Sequence, residues 1–232
     1  MTEIPTAPST IGGFRVAIFA FACLLCGFAV WSLLPELLRP AVIEFPTDAG
    51  SAVAIYAHRD EATMAARIGF VRGDLWAQAA FSYGDLVWNE NKHADAVSLE
   101  RARALTELAI TYAPHDSRLW LLLAAIDSRF DWLNERASVA LKMSYYTGSN
   151  MIGLVPARLL LSMQSRAIQD SEFQELVSHD IRISAIHKSE LMPAIIAAYN
   201  TAPLFGQEFM EKTLAEFDPS ILASIHSGAQ QR

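Results

Sequence analysis

Cysteine is nearly absent from this chain. There are two in 232 residues, Cys23 and Cys26, and both fall inside one apolar run. Everything beyond that run must fold without disulfides or thiolate-held metal. Residues 40–232 are long enough to bury a core unaided. Basic charge is also scarce: from residue 40 onward there are 16 Lys plus Arg against 23 Asp plus Glu, so the net charge of −7 resides there. That balance excludes a nucleic-acid footprint, which needs a basic stripe. It also excludes attachment to anionic lipid by charge alone. No stretch alternates apolar and polar residues as a half-buried strand would. Catalytic signatures are missing as well: no H-E-x-x-H, no G-x-S-x-G, and no Gly-rich phosphate loop leading to a Lys.

Charge is wholly absent from Val16 to Leu34, VAIFAFACLLCGFAVWSLL. A bilayer core of roughly 30 Å takes about 20 apolar helical residues. In hydrocarbon each backbone amide must bond within its own segment, so a helix is predicted. Arg15 closes the run on one side, and Pro35, Glu36 and Arg39 on the other, while Trp31 falls where an amphipathic ring favours the headgroups. Leu37 and Leu38 extend the span if the helix passes Pro35. A cleaved signal peptide has a shorter apolar region ending in small residues, whereas this one ends in Trp31, Leu33 and Leu34. A lipoprotein box is poorly matched by Ala20-Phe21-Ala22-Cys23. The pattern therefore favours an uncleaved anchor over residues 14–39. Cys23 and Cys26 have C-x-x-C spacing, but redox work needs thiolates near water, so both are read as small apolar side chains. Arg15 and the amino terminus, against Glu3, stand on one side, and Arg39 with Glu36, Glu44 and Asp48 on the other; the basic count is nearly level and leans slightly toward an inner-membrane protein with a periplasmic C-terminal domain.

Residues 1–13, rich in Pro, Gly, Ser and Thr, read as a disordered tail. Residues 40–56 read as an extended linker held by Pro40 and Pro46, with Gly50 and Ser51 permitting a turn or helix start. Beyond His58 apolar residues recur at three- and four-residue steps, so the expected fold is all-α. Punctuation falls at Gly73-Asp74 with Asp74 as N-cap, at Asn89–His93, at Pro114–Ser117 with Asp116 or Ser117 capping, and at Thr147–Asn150. It recurs at Gln169–Ser171, near Pro203 and Gly206, and at Asp218–Ser220. The result is a series of two-helix hairpins that must stack to bury their apolar faces.

Trp76, Ala79, Ala80 and Tyr83 recur in offset as Trp120, Leu123, Ala124 and Asp127. Ala102, Thr106, Ala109 and Pro114 follow the first set, and Ala137, Leu141 and Ser144 the second. Residues 73–116 and 117–150 thus resemble two tetratricopeptide units. The first carries extra residues around Trp88–Ala96. The second has Asp127 where an aromatic is usual and lacks the closing Pro. Residues 57–72 resemble the second helix of a degenerate preceding unit, through Ala62, Ala66 and Gly69. Residues 57–150 are thus read as the hairpin region and 151–232 as a C-terminal helical region without the signature. The resemblance implies a concave groove lined by Asp74, Ala77, Phe81 and Asp85 from one unit, and by Arg118, Leu121, Ala125 and Arg129 from the next. Phe81 and Leu121 would be apolar anchors, and Arg118 and Arg129 would clamp an acidic group on a protein partner.

No cofactor, metal or catalytic site is expected. Glu175, His179 and Asp180 lie close in sequence, but a metal needs a third or fourth ligand in one place. Asp127, Asp131 and Glu135 form an acidic series that reads as a solvated helix face. The remaining histidines, His58, His93, His115, His187 and His226, sit in no motif. The leading expectation is a membrane-tethered helical scaffold that binds a protein partner, in cell-envelope or polysaccharide assembly. One alternative is a structural subunit that associates through small residues of the span (Ala20, Ala22, Gly27, Ala29). Another is an envelope enzyme whose site gathers Glu175, His179 and Asp180.

Overall fold

The computed structural model describes residues 10–39, 43–88, 96–130 and 135–229, and no strand occurs among them. The protein is an all-α chain in which one long apolar helix precedes a helical domain. The expectations at residues 1–9, His93 and Asp131 lie outside the described residues, as does most of the Trp88–Ala96 insertion.

Helix α1 (Thr10–Leu38) contains a 26-residue stretch, Gly13–Leu38, long and apolar enough to cross a membrane, with an 18-residue window of mean hydropathy 2.4. It starts within the segment read as a tail, because nothing in Thr10–Gly13 opposes continuation of so apolar a helix. It also runs through Pro35. The missing N–H there leaves the Trp31 carbonyl without its helical donor, but Pro35 is buried against the domain and its own carbonyl accepts from the Arg39 amide at 3.1 Å.

The helix start that Gly50 and Ser51 permit is present in the second half of the linker. Residues 43–46 are extended, but α2 (Ala49–Tyr56) is helical. Asp48 starts it with a capping box: the Ser51 amide donates to the Asp48 carboxylate at 2.8 Å, and the Asp48 amide donates to the Ser51 hydroxyl at 3.3 Å. Then come α3 (Arg59–Ile68), α4 (Gly73–Phe81), the short α5 (Asp85–Trp88), α6 (Ala96–Tyr112), α7 (Ser117–Phe130) and α8 (Glu135–Gly148). Asp74 does not cap α4. It lies inside the first turn, where Arg72 grips it at 2.6 Å and holds its carboxyl below the usual range. Asp116, by contrast, accepts from the Arg118 amide at 3.0 Å and starts α7.

Helices α4 and α6 pack together, as do α7 and α8, and α3 bridges α1 to α4. Small residues make these approaches close: Ala79, Ala80, Ala102, Thr106 and Ala109 are fully buried between α4 and α6. The C-terminal region adds α9 (Val155–Gln164), α10 (Ser171–Ile186), α11 (Lys188–Thr201), α12 (Leu204–Phe217) and α13 (Pro219–Ala229). Asp170 caps α10 through the Glu172 amide at 3.1 Å, and Asp218 caps α13 through the Ser220 amide at 3.0 Å.

Helix α9 is the hub of this region, packed by α10, α11 and α12 and touching α7 and α8. Gly206 lets α12 reach it. A Cβ there would collide with the Met163 carbonyl oxygen, which belongs to the backbone and cannot rotate aside. Gly206→Ala is therefore expected to destabilise the domain by roughly 1–3 kcal/mol, despite alanine's better helix propensity. Chemical denaturation of the detergent-solubilised chain measures this. An unchanged or raised midpoint would show that α12 is not seated on α9 as described.

Candidate functional site

The surface expected to form an open groove is filled by the chain itself. Residues 43–46, Ile-Glu-Phe-Pro, cross α4, α5 and α7 in extended form. Ile43 and Phe45 point inward and are buried, while Glu44 between them faces solvent. This is the period-two alternation of an extended segment with one covered face. The Phe45 ring meets Phe81 edge-on, with centroids 5.8 Å apart. The Ile43 amide donates to the Gln78 side-chain oxygen at 3.4 Å, and the Trp88 indole donates to the Pro46 carbonyl at 3.0 Å. Gly84 admits the Pro46 ring, since any Cβ there would collide with it.

This strap corrects the open-groove expectation for most of its residues. Phe81 is 2% exposed and Leu121 fully buried, so both are core rather than waiting anchors. Asp85 is buried and paired with Arg59 at 3.0 Å. The Arg59 guanidinium also donates to the Ser82 carbonyl at 2.9 Å and stacks over the Tyr56 and Tyr83 rings at 4.2 and 3.7 Å. Arg118 lies over the Phe81 ring at 5.0 Å and donates to both Asp116 oxygens, at 2.9 and 2.7 Å. That bond, reinforced by the charge of Glu44 on the strap, raises its pKa against the effect of burial. Arg129 donates to the Leu86 carbonyl at 3.0 Å and lines an apolar pocket of about 250 Å³ between α5, α7, α8 and α9. Asp74 is exposed at the opposite end of α4 from Phe81 and does not join the others. Ala77 and Ala125 are buried. The structure thus brings Phe81, Arg118 and Leu121 into one neighbourhood but covers it.

The strap residues Ile43 and Phe45, and Gln78 on α4 beneath them, carry contacts that the sequence reading did not assign. Their signal was present as apolar–acidic–aromatic–Pro, which is too short to separate from a linker.

A second cluster is buried in the C-terminal half. Arg158 on α9 has no exposed surface. Its guanidinium donates to the Ser144 carbonyl, to the Ser144 hydroxyl at 3.1 Å and to the Gly148 carbonyl at 2.9 Å. It thereby satisfies the frayed C-terminal turn of α8. The Tyr145 ring lies 4.7 Å from that guanidinium, and its hydroxyl is 3.2 Å from the Ser162 hydroxyl. Asp180 on α10 is also wholly buried, and neither carboxylate oxygen has a hydrogen bond of normal geometry. Burial raises its pKa to about 7, against the opposing effects of the Arg158 charge and the Tyr145 hydroxyl.

Glu175 and His179 lie on the exposed side of α10 while Asp180 faces inward, so the three do not converge. Asp127 is buried 3.2 Å from Arg103 rather than on a solvated acidic face, and burial raises its pKa. Among the described residues no group of three or more His, Cys, Asp or Glu is placed to hold a metal. Comparison with protein-family models, curated proteins and solved structures finds no match.

Proposed function

We propose that this chain is a membrane-tethered scaffold of tetratricopeptide-like hairpins that holds a protein partner by an extended segment laid across α4 and α7. One observation carries the reading: that surface already holds such a segment in cis, with two inward apolar side chains, a side-chain amide contact and a tryptophan donor. A partner's apolar–acidic–aromatic sequence would use the same contacts once the strap is released. Glu44 beside Arg118 gives the acidic position its preference. The anchor confines partner and scaffold to one bilayer, at the inner membrane with the helical domain on the periplasmic side. The work is binding and positioning, without a cofactor.

A fluorescent peptide of residues 40–48, PAVIEFPTD, tests this. The full chain carrying Ile43→Ser and Phe45→Ser is titrated with it in detergent and compared with wild type. Saturable binding to the variant alone is expected, because in wild type the tethered strap competes at high effective concentration. Absence of binding to a variant with unchanged circular dichroism would show that the strap is fixed structure and the surface takes no peptide.

A second reading, assembly through the span, is favoured by a shallow hollow along α1 formed by Ala20, Cys23 and Gly27 with Leu24, Phe28 and Trp31 around it.

A further inference from the structure

We infer that the turn between α3 and α4, Gly69–Arg72, is a second membrane contact, with Phe70 and Val71 immersed in the lipid interface beside the anchor. The inference rests on α1 spanning a bilayer.

The turn is locked to the end of α1. The Trp31 indole donates to the Ile68 carbonyl at 3.0 Å. The Trp31 and Phe70 rings lie 5.9 Å apart. Gly69 packs so closely on Pro35 that a Cβ would press against its ring at 3.2 Å. The turn therefore lies at the level of Trp31 to Pro35, and its depth is set by the depth of the helix. Trp31 is one turn inside Pro35, about 6 Å by helical rise. Placing the amphipathic Trp31 ring at the headgroup boundary, where it is favoured, therefore puts Phe70 at that same level, with Pro35 just outside it.

The chemistry changes at the same level. Phe70 and Val71 are 55% and 54% exposed, although the Phe70 ring leans on Trp31. The next residues along both strands of chain are charged and mutually paired. Arg72 holds Glu36 at 2.6 Å, Arg39 holds Glu36 at 2.8 Å, and Arg72 also holds Asp74. An apolar tier of Trp31, Phe70 and Val71 thus lies directly beneath an ionic tier of Glu36, Arg39, Arg72 and Asp74. That is the order a membrane surface imposes on an interfacial segment, with aromatic and aliphatic side chains at the acyl boundary and charge at the headgroups. A second anchoring point would stop the domain from swinging about α1 and would fix which face the α4/α7 surface presents to partners.

Single-site NBD labelling tests this on the full chain in a Cys23→Ala/Cys26→Ala background. The reconstituted protein is compared in phosphatidylcholine vesicles with and without brominated acyl chains. Three sites are used: Val71→Cys in the turn, Leu25→Cys within the span, and Val97→Cys at the far end of α6. Tyr112, at the near end of α6, abuts Gly73, and Val97 is about 22 Å from it by helical rise. The expected result is blue-shifted emission at Val71 and Leu25, each losing roughly half or more of its intensity to bromolipid, with Val97 unquenched. Quenching at Leu25 with Val71 indistinguishable from Val97 would overturn the membrane contact while leaving the span intact. Water-like emission at Leu25 would overturn the spanning assignment, and this inference with it.

Discussion

Arg158→Met is expected to lower the stability of the helical domain by about 3–5 kcal/mol, the usual loss when one member of a buried charged network is removed. Methionine fills most of the volume but donates nothing. The buried Ser144 carbonyl and the half-buried Gly148 carbonyl at the end of α8 would lose their donor, and Asp180 would lose the guanidinium charge beside it. Each orphaned acceptor costs on the order of 1–3 kcal/mol. The affected elements are α8, α9 and α10, so the damage should centre on the C-terminal half. Urea unfolding followed by circular dichroism, with the chain in a mild detergent, measures the change. A loss below about 1 kcal/mol would mean that water reaches the cluster and that it does not hold the three helices together. Arg158→Lys should recover only part of the loss, because a single ammonium cannot span the Ser144 and Gly148 carbonyls together.

Wild-type protein should lose stability as the pH rises from 5 to 8, by about 2–3 kcal/mol, and Asp180→Asn should abolish that slope. The sign follows from the direction of the shift. The folded-state pKa of Asp180 is raised from 3.8 to about 7, so between those values the native protein holds a proton that the unfolded chain has released. The stabilisation is complete below the unfolded value and disappears as the pH rises through about 7. Other shifted groups act in other windows. Asp218, lowered to about 2 by Lys188 and Ser220, contributes stability that is lost only as the medium becomes strongly acidic. Tyr199, raised to about 12 by its bond to Glu211, titrates far above neutrality. A stability optimum on the acidic side of neutral is therefore expected, unlike that of a domain held by surface ion pairs. Asparagine mimics the protonated carboxyl, so the variant should match wild type near pH 5 and exceed it at pH 8. Superimposable pH profiles would show that Asp180 is hydrated and titrates normally. In Arg158→Met the fall should move to higher pH, since the opposing positive charge is gone.

The elements legible in the sequence were those with local causes. The long apolar helix followed from Val16–Leu34 alone, because an uncharged run of that length has no local reason to break. The starts of α7, α10 and α13 followed from Asp116, Asp170 and Asp218, since an N-cap bond closes within two or three residues. Pro156 stands in the first turn of α9, where its fixed φ suits a helix and its missing N–H would have had no partner. Asp74 misled because Arg72, two residues away, competes for its carboxylate, and the helix starts two residues earlier than the cap would place it. The burial of Phe81 and Leu121 was not legible. A helix pattern shows which residues share a face, but the ring that covers Phe81 is Phe45, thirty-six positions away in a segment with no helical periodicity.

By itself the sequence determined a helix long and apolar enough to span a membrane, an all-α domain without disulfides, and the positions of most helix ends. Each of these depends on hydrophobicity or capping within a few residues. Only the tertiary structure decided that the α4/α7 surface is strapped, that the Phe70 turn is tied to the foot of the anchor, and that Arg158 and Asp180 are interior. These depend on which distant segments meet. A charged or apolar side chain carries no mark in sequence of whether its neighbour in space is water, lipid or another helix, and burial alone converts the same residue from solvated surface into structural network.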